Sequence, residues 1–387
     1  MVGAALPMMP VHGGLPSAQR GNIMLISASV RRSPVGGRAQ LSRLIHEALT
    51  ALYGPRLMCR EVSSMPPHGL KSLIWALRGH VDGLDTGTMA DIVATIRHDD
   101  VGKVLVDGSN FGKLAAAIKE KCPAVEVSTF FHNCEARFFL GAARQRPSIR
   151  AFGVLVANYL AERAAVRYSD KRICLSKRDG DQLRRLYGRG ATHVSAMAVR
   201  DKLPASTQAP DTPPAERYAL FVGGAFYANQ AGIAWFARNV APHVSMKTCV
   251  VGMGLEVARA ELEGLGNIEV VGEVGDLAPW YRNAHIVVAP IFDGSGMKTK
   301  VAEALMFGKR IVGTPEAFSG YEDVAARAGE ICADAEGFIA AINREGTRPF
   351  VAIDPQLRAI YEAQYSFGAA SSRLCHILGA SVRDGGG

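Results

Sequence analysis

The stretch Ile286–Gly313, IVVAPIFDGSGMKTKVAEALMFGKRIVG, decides the fold. The apolar run Ile286–Ala289 reads as a buried strand, Pro290 stops it, and Asp293–Gly296 is a glycine-rich turn. Lys298–Phe307 has apolar residues at helical spacing, Gly308 closes it, and a strand resumes over Arg310–Gly313. Connections this short make a parallel strand pair joined by a crossover helix. The free N–H groups of a helix start, its dipole, and glycines that admit a ligand to the backbone suit an anion. Gly294, Gly296 and Met297 form the candidate loop, and Lys298 and Lys300 add full charges. Lys298 is the preferred phosphate ligand, because it opens the helix. Glu303, further along that helix, can accept both hydroxyls of a ribose. The plainer alternative is a glycine loop capping a solvated helix with surface lysines.

Outward from this stretch the same alternation continues. A chain of 387 residues exceeds what one core usually serves, so two domains are expected. The first is read from strands Asn22–Ser27, Leu57–Val62, Lys103–Asp107, Val125–Phe131 and Ile173–Ser176. Its helices are expected near Ala39–Leu52, Ile149–Ser169 and Lys177–Tyr187, the last capped by Ser176. The second domain has strands Ala219–Gly223, Thr248–Gly252, Ile268–Val271, Ile286–Ala289 and Arg310–Gly313. Helices are expected near Gln230–Val240, Leu277–Arg282 and Lys298–Phe307. Between the domains, DKLPASTQAPDTPPAER at Asp201–Arg217 is rich in proline and polar residues and reads as a linker. The expected divisions are a tail at 1–20, a first domain at 21–205, a linker at 206–217 and a second domain at 218–355. A C-terminal helix and tail at 356–387 is expected to pack back on the first domain. The fold class is α/β: two doubly wound parallel sheets facing across a cleft, with ligands beyond the carboxyl ends of the strands.

Charge separates the halves. Residues 1–205 carry a net +13 and the remainder −5, so the first half should face something anionic. Between Arg137 and Arg189 there are 13 Lys or Arg against Glu162, Asp170, Asp179 and Asp181. That segment, with Arg137, Arg144, Arg146 and Arg150, is a candidate acceptor or membrane face, a solvated helix surface being the alternative. Aromatic residues do not interleave with basic ones as in nucleic-acid modules, so no nucleic-acid partner is expected. The seven cysteines are scattered without CxxC spacing, which argues against a zinc site and for a reduced compartment. The N-terminus lacks the basic and apolar regions of a signal peptide, and no apolar run of about 18 residues stands out as a membrane span. A cytoplasmic location is expected, with the inner face of the plasma membrane as a site of peripheral contact.

The residues Gly294, Gly296, Lys300, Glu303, Ala304 and Gly308 resemble the donor signature of GT-B-fold glycosyltransferases, in particular retaining family 4 and the related family 1. The branch it resembles assembles bacterial surface polysaccharides. GEVGD at Gly272–Asp276 resembles the loop that contacts the nucleobase, which implies Glu273 and Val274 near the base. FVGGAFYAN at Phe221–Asn229 resembles the first glycine loop of the donor domain and assigns Gly223 and Gly224 to the donor. FFHNCEARFF at Phe130–Phe139 resembles a segment whose histidine contacts the donor sugar, here His132, with Glu135 or Arg137 shaping the acceptor or phosphate environment. Gly36 and Gly37 resemble a turn that lines the cleft near the diphosphate. The chain departs from the family in two places. Ser295 stands where many members have the first of two carboxylates, and GGAFYANQ lacks the cation common after the first strand.

The implied reaction moves a sugar from a nucleoside-diphosphate sugar to a hydroxyl of a glycan or lipid-linked acceptor. Lysines and a helix start can stabilise the leaving diphosphate, so no metal or other cofactor is expected. The resemblance favours retention of configuration. Inversion would need a base, for which Asp107, His132 and Glu135 are candidates. Asp107 ends a strand before Gly108 and is equally suited to forming an Asx turn. Two other readings stay open: a sugar-nucleotide epimerase on the same fold, and a non-catalytic nucleotide-sugar or glycan-binding module.

Overall fold

A computed structural model describes residues 21–28, 37–62, 79–81, 84–145, 147–203 and 216–379. The expected tail at 1–20, Gly36, Arg146, linker residues 204–215 and residues 380–387 lie outside the described residues.

The first domain runs β1 (Asn22–Ser27), α1 (Gly37–Tyr53), β2 (Leu57–Glu61), α2 (Thr86–His98), β3 (Val101–Asp107), α3 (Gly112–Lys121) and β4 (Glu126–Phe131). It continues through α4 (Glu135–Gln145), α5 (Ile149–Tyr168), β5 (Lys171–Cys174), α6 (Lys177–Tyr187) and β6 (His193–Val194). The second domain runs β7 (Tyr218–Val222), α7 (Tyr227–Asn239), β8 (Lys247–Val251), β9 (Ile268–Gly272), α8 (Ala278–Asn283) and β10 (Ile286–Ala289). Then come α9 (Thr299–Met306), β11 (Ile311–Gly313), β12 (Gly329–Ile331), α10 (Ala335–Gly346) and α11 (Phe367–Leu378).

Each domain holds one six-stranded sheet. The orders are β2-β1-β3-β4-β5-β6 and β12-β11-β10-β7-β8-β9, with every pairing parallel. Central strands such as IVVA at β10 are buried along their whole length, as a sheet covered on both faces requires. The growth of the sheet reverses between β1 and β3 in the first domain and between β7 and β10 in the second. Loops leaving such reversal points splay apart and open a crevice. The two crevices face each other.

Three helices of the first domain, α2, α3 and α4, add to those expected from the sequence. The missing signal for α4 is physical. No Ser, Thr, Asp or Asn precedes Glu135 as a local cap. Instead the Glu162 carboxylate of α5 accepts the N–H of Glu135 at 2.9 Å and of Ala136 at 3.2 Å. It also accepts from Tyr187 Oη at 2.8 Å and Ser109 Oγ at 3.2 Å. Burial pushes the Glu162 carboxyl upward, and the hydrogen bonds from Glu135, Tyr187 and Ala136 oppose that rise.

The domains are held by the end of the chain. Tyr361 Oη donates to Val199 O at 3.0 Å, and Val199 N donates to Tyr365 O at 3.0 Å. Helix α11 lies against α1 of the first domain. Its last carbonyls accept from Lys103 Nζ, to Leu378 O at 2.6 Å, and from Lys171 Nζ, to Ile377 O at 2.9 Å. Met197, Tyr361 and Tyr365 make the core of the second domain continuous with the α1 face of the first sheet.

Replacing Glu162 with Leu should orphan two buried N–H groups and the Tyr187 hydroxyl. Each such group costs about 1–3 kcal/mol, so urea unfolding should show a loss of roughly 3 kcal/mol or more, and Glu162→Gln a smaller one.

Candidate active site

A cleft of 610 Å³ lies between the carboxyl ends of the two sheets. Its second-domain wall is built from the loops after β7, β8, β9 and β10 and the start of α9. The first-domain wall comes from the start of α1 and the segment after β4. The loop Asp293–Met297 crosses to the opposite domain. Ser295 Oγ accepts from Cys134 N at 3.1 Å and donates to Cys134 O at 3.3 Å. Gly296 has φ +67°, and a Cβ there would stand 2.7 Å from His132 O. Gly37 opens α1 against α9 so closely that a Cβ would meet Thr299 Cγ2 at 2.6 Å. Gly296 therefore needs glycine, whereas a side chain at position 37 would require the Thr299 methyl to shift, and both positions bring helix or loop backbone to the cleft.

The two lysines do not play the parts their order suggests. Lys298 stands just before the first residue of α9, and its Nζ donates to Gly296 O at 2.9 Å and pairs with Glu316 at 3.1 Å. The same Glu316 pairs with Arg137 at 3.4 Å and Arg178 at 2.5 Å, both from the first domain. Lys300 takes part in no ion pair among the described residues. Its Nζ donates to Asn229 Oδ1 at 2.9 Å and sits 4.5 Å from the centre of the Phe221 ring. Burial, with a smaller push from the charge of Lys298, lowers the Lys300 ammonium to about 7. Burial also lowers Lys298, with Glu316 opposing. Of the two, Lys300 is the one in no ion pair among the described residues.

Glu303 also lines the cleft. Its Oε2 accepts from Tyr281 Oη at 3.0 Å, and Lys202 Nζ stands 3.9 Å from Oε1. Burial raises its carboxyl, with Lys202 and Tyr281 opposing. Gly223, Gly224, Glu273, Val274, Gly294 and Met297 line the same space, while Gly296 lies behind the loop against His132.

On the other wall, His132 is 7% exposed and lines the cleft. Its Nε2 lies 2.6 Å from Asp107 Oδ1, and its Nδ1 is buried without a hydrogen-bond partner among the described residues. Burial works against the Asp107 carboxylate, but the charge and hydrogen bond of His132 prevail and hold it below the usual range. In the tautomer whose Nε2–H donates to Asp107, Nδ1 is an acceptor. Asp107 itself is 2% exposed and stands behind His132, so it reaches the cleft only through that ring. Glu135 is likewise buried, 3.6 Å from Arg38, and is not part of the cleft wall. Asp107 therefore meets the cleft through His132, and Glu135 through Arg38. Arg144 and Arg150 are exposed on α4 and α5, outside the cleft.

Several cleft residues carry no local signal in the sequence. Arg38 and Asn229 face the cleft, and Glu316 gathers its three cations from across both domains. Phe138 of α4 stacks on Phe226 of the β7–α7 loop, with centroids 5.5 Å apart and planes 2° from parallel, closing one end of the space. Among the described residues no group of three or more His, Cys, Asp or Glu is placed to hold a metal. Among them, too, no helix is long and apolar enough to cross a membrane.

With this geometry in view, the comparisons with known proteins fall into place. Residues 216–345, which hold the glycine loops and α9, match the family of glycosyl transferases group 1. The chain carries a group 1 glycosyltransferase domain. The chain as a whole has the GT-B fold. It is similar to sucrose-phosphate synthase from Thermosynechococcus elongatus, at 17% identity over 92% of this chain and 98% of that one, with a TM-score of 0.68. It is also similar to HepE of Anabaena in complex with UDP, at 13% identity over 92% and 99%, TM-score 0.62. A glycosyltransferase from Rickettsia africae aligns at 14% identity over 93% and 98%, TM-score 0.64. No curated protein matches the chain in sequence.

In this glycosyltransferase domain Glu316 neutralises cations drawn from both halves of the molecule. Glu316→Gln should leave Arg137, Arg178 and Lys298 without their shared carboxylate. Hydrogen bonds to charged groups contribute about 1.5–3 kcal/mol, and a loss of that order is expected in denaturant unfolding.

Proposed function

We propose that the chain transfers a sugar from a nucleoside-diphosphate sugar to a hydroxyl of a glycan or lipid-linked acceptor, without a metal. The observation that carries this reading is Lys300: a buried lysine in no ion pair among the described residues, with Glu303 attracting its charge from further along α9, facing a glycine loop at the start of a helix. Such a site is prepared for an anion. The diphosphate meets the first turn of α9, which carries Lys300, with Lys298 behind. Glu303, one turn on, accepts the ribose hydroxyls, and Glu273 and Val274 flank the base. Among the structural neighbours, HepE was crystallised with UDP and with UDP-glucose, and WaaB is a lipopolysaccharide outer core galactosyltransferase. These support a nucleotide-sugar donor and a glycan or lipid-borne acceptor. The basic first half fits peripheral contact with an anionic membrane from the cytoplasmic side.

As the bond to the anomeric carbon breaks, negative charge grows on the leaving diphosphate, and Lys300 and the helix start stabilise it there. His132 Nδ1 accepts a hydrogen bond from a sugar hydroxyl. We favour retention, with a leaving phosphate oxygen taking the acceptor's proton. One observation favours a second path. The Asp107–His132 pair is arranged as a base with a free acceptor nitrogen, which inversion would use.

Replacing Lys300 with Met should weaken nucleoside-diphosphate binding by about 10- to 100-fold in calorimetry, the worth of one charge-assisted hydrogen bond. Without the diphosphate the same variant should melt higher than the wild type, because a desolvated charge is gone. The free protein loses the Lys300 proton near about 7, whereas the bound anion holds that proton. Wild-type affinity should therefore be full below that pH and decline above it, and the Met variant should lack this step. For stereochemistry, proton NMR of the first product should show the donor's anomeric configuration. Asp107→Asn should then lower kcat less than about tenfold; a fall of about 10²–10⁴-fold with an inverted product would establish the base path.

A further inference from the structure

We propose that a groove between α4, α5 and α6 holds the hydrocarbon chain of an amphiphilic phosphate acceptor, whose phosphate meets Arg137 and Arg178 at the edge of the cleft. The inference rests on the glycosyltransferase reading and names its acceptor class. The groove encloses 890 Å³, a volume that suits a ligand. Its floor is apolar, formed by Leu140, Leu155, Val156, Tyr159 and Leu186. Leu140 and Leu186 are 38% and 43% exposed, and the first turn of α5 continues the surface with Ile149 at 94% and Phe152 at 64%. Contiguous apolar surface of this kind on a water-soluble face marks a binding site.

Position and charge identify the occupant. Arg137 and Arg178 border the groove, and both reach Glu316, which holds Lys298 of the donor loop. Phe138, the next residue after Arg137, lines the donor cleft. The groove therefore ends beside the reacting centre. Lys177 and Arg185 add charge along its rim, against Asp181 and Glu322. At the Arg137–Arg178 end, three cations share the single carboxylate of Glu316, and each guanidinium has further N–H groups to give. A free glycan would leave the apolar floor wet, and a plain hydrocarbon would leave the arginines unanswered. A chain carrying a phosphate and, beyond it, a saccharide hydroxyl satisfies both ends and delivers the hydroxyl to the cleft.

The test compares decyl phosphate with ethyl phosphate in calorimetric titrations below the micelle concentration. The wild type should bind decyl phosphate about a hundredfold more tightly, the worth of three to four buried methylenes at ~0.8 kcal/mol each. Leu140→Asp with Leu186→Asp, both at exposed positions, should reduce that ratio at least tenfold, with a melting temperature near the wild type's showing the variant folded. Equal affinity of the two phosphates for the wild type would overturn the proposal, and so would an unchanged ratio in a folded variant. Adhesion to phosphatidylglycerol vesicles without any preference for decyl phosphate would overturn it too, assigning the face to bilayer contact. Failure of the wild type to bind nucleoside diphosphates would instead strike the donor reading, since these titrations contain no nucleotide.

Discussion

Ser295 joins the two domains at the place where chemistry is expected. Its hydroxyl accepts the N–H of Cys134 and returns a hydrogen bond to the Cys134 carbonyl, so loop Asp293–Met297 is fastened to the end of β4. Gly296 then lies on His132 O, and Gly37 admits the start of α1 to Thr299. The helix start and Lys300 of one domain thereby face His132 of the other across one cleft. The double bond also gives a physical meaning to a departure from the family pattern. A carboxylate at position 295 could accept the Cys134 N–H but could not donate to its carbonyl. The hydroxyl does both.

Electrostatics divides the work of the cations. Glu316 pairs with Arg137, Arg178 and Lys298, so these three brace the domains and the loop, while both guanidiniums keep further N–H groups to give. Lys300 has the Asn229 amide, the face of Phe221 and the more distant charge of Glu303, and no ion pair among the described residues. A desolvated charge without a counter-ion is costly, and the cost is recovered when an anion arrives. The glycines of the loop leave room for such an anion at the backbone. On this account Lys300 stands ready for an anion at the donor's position, while Lys298 already has a carboxylate.

Much of this was legible in the sequence. The succession of strands along the chain, the crossover helix after Ile286–Ala289 and the Ser176 cap follow from local pattern, because periodicity and caps act within a few residues. What was not legible depends on partners far along the chain. Helix α4 is capped by Glu162, 27 residues away, and Glu316 meets Arg137 from 179 residues away. The relative standing of Lys298 and Lys300 depends on a distant partner for the same reason. Proximity to the helix start favours Lys298, but only the fold shows that Glu316 already occupies it. Likewise, a strand-end Asp107 looks free for an acceptor until His132 is seen in front of it.

The central claim is that this cleft binds a nucleoside diphosphate through Lys300. A thermal-shift screen of the wild type and Lys300→Met against uridine, guanosine, adenosine and thymidine diphosphates and their sugars tests it directly, since a ligand that binds only the folded state raises the melting temperature. At least one nucleotide should raise the wild-type melting temperature and leave the variant's nearly unchanged. No shift with any of them, or equal shifts in both proteins, would contradict the account.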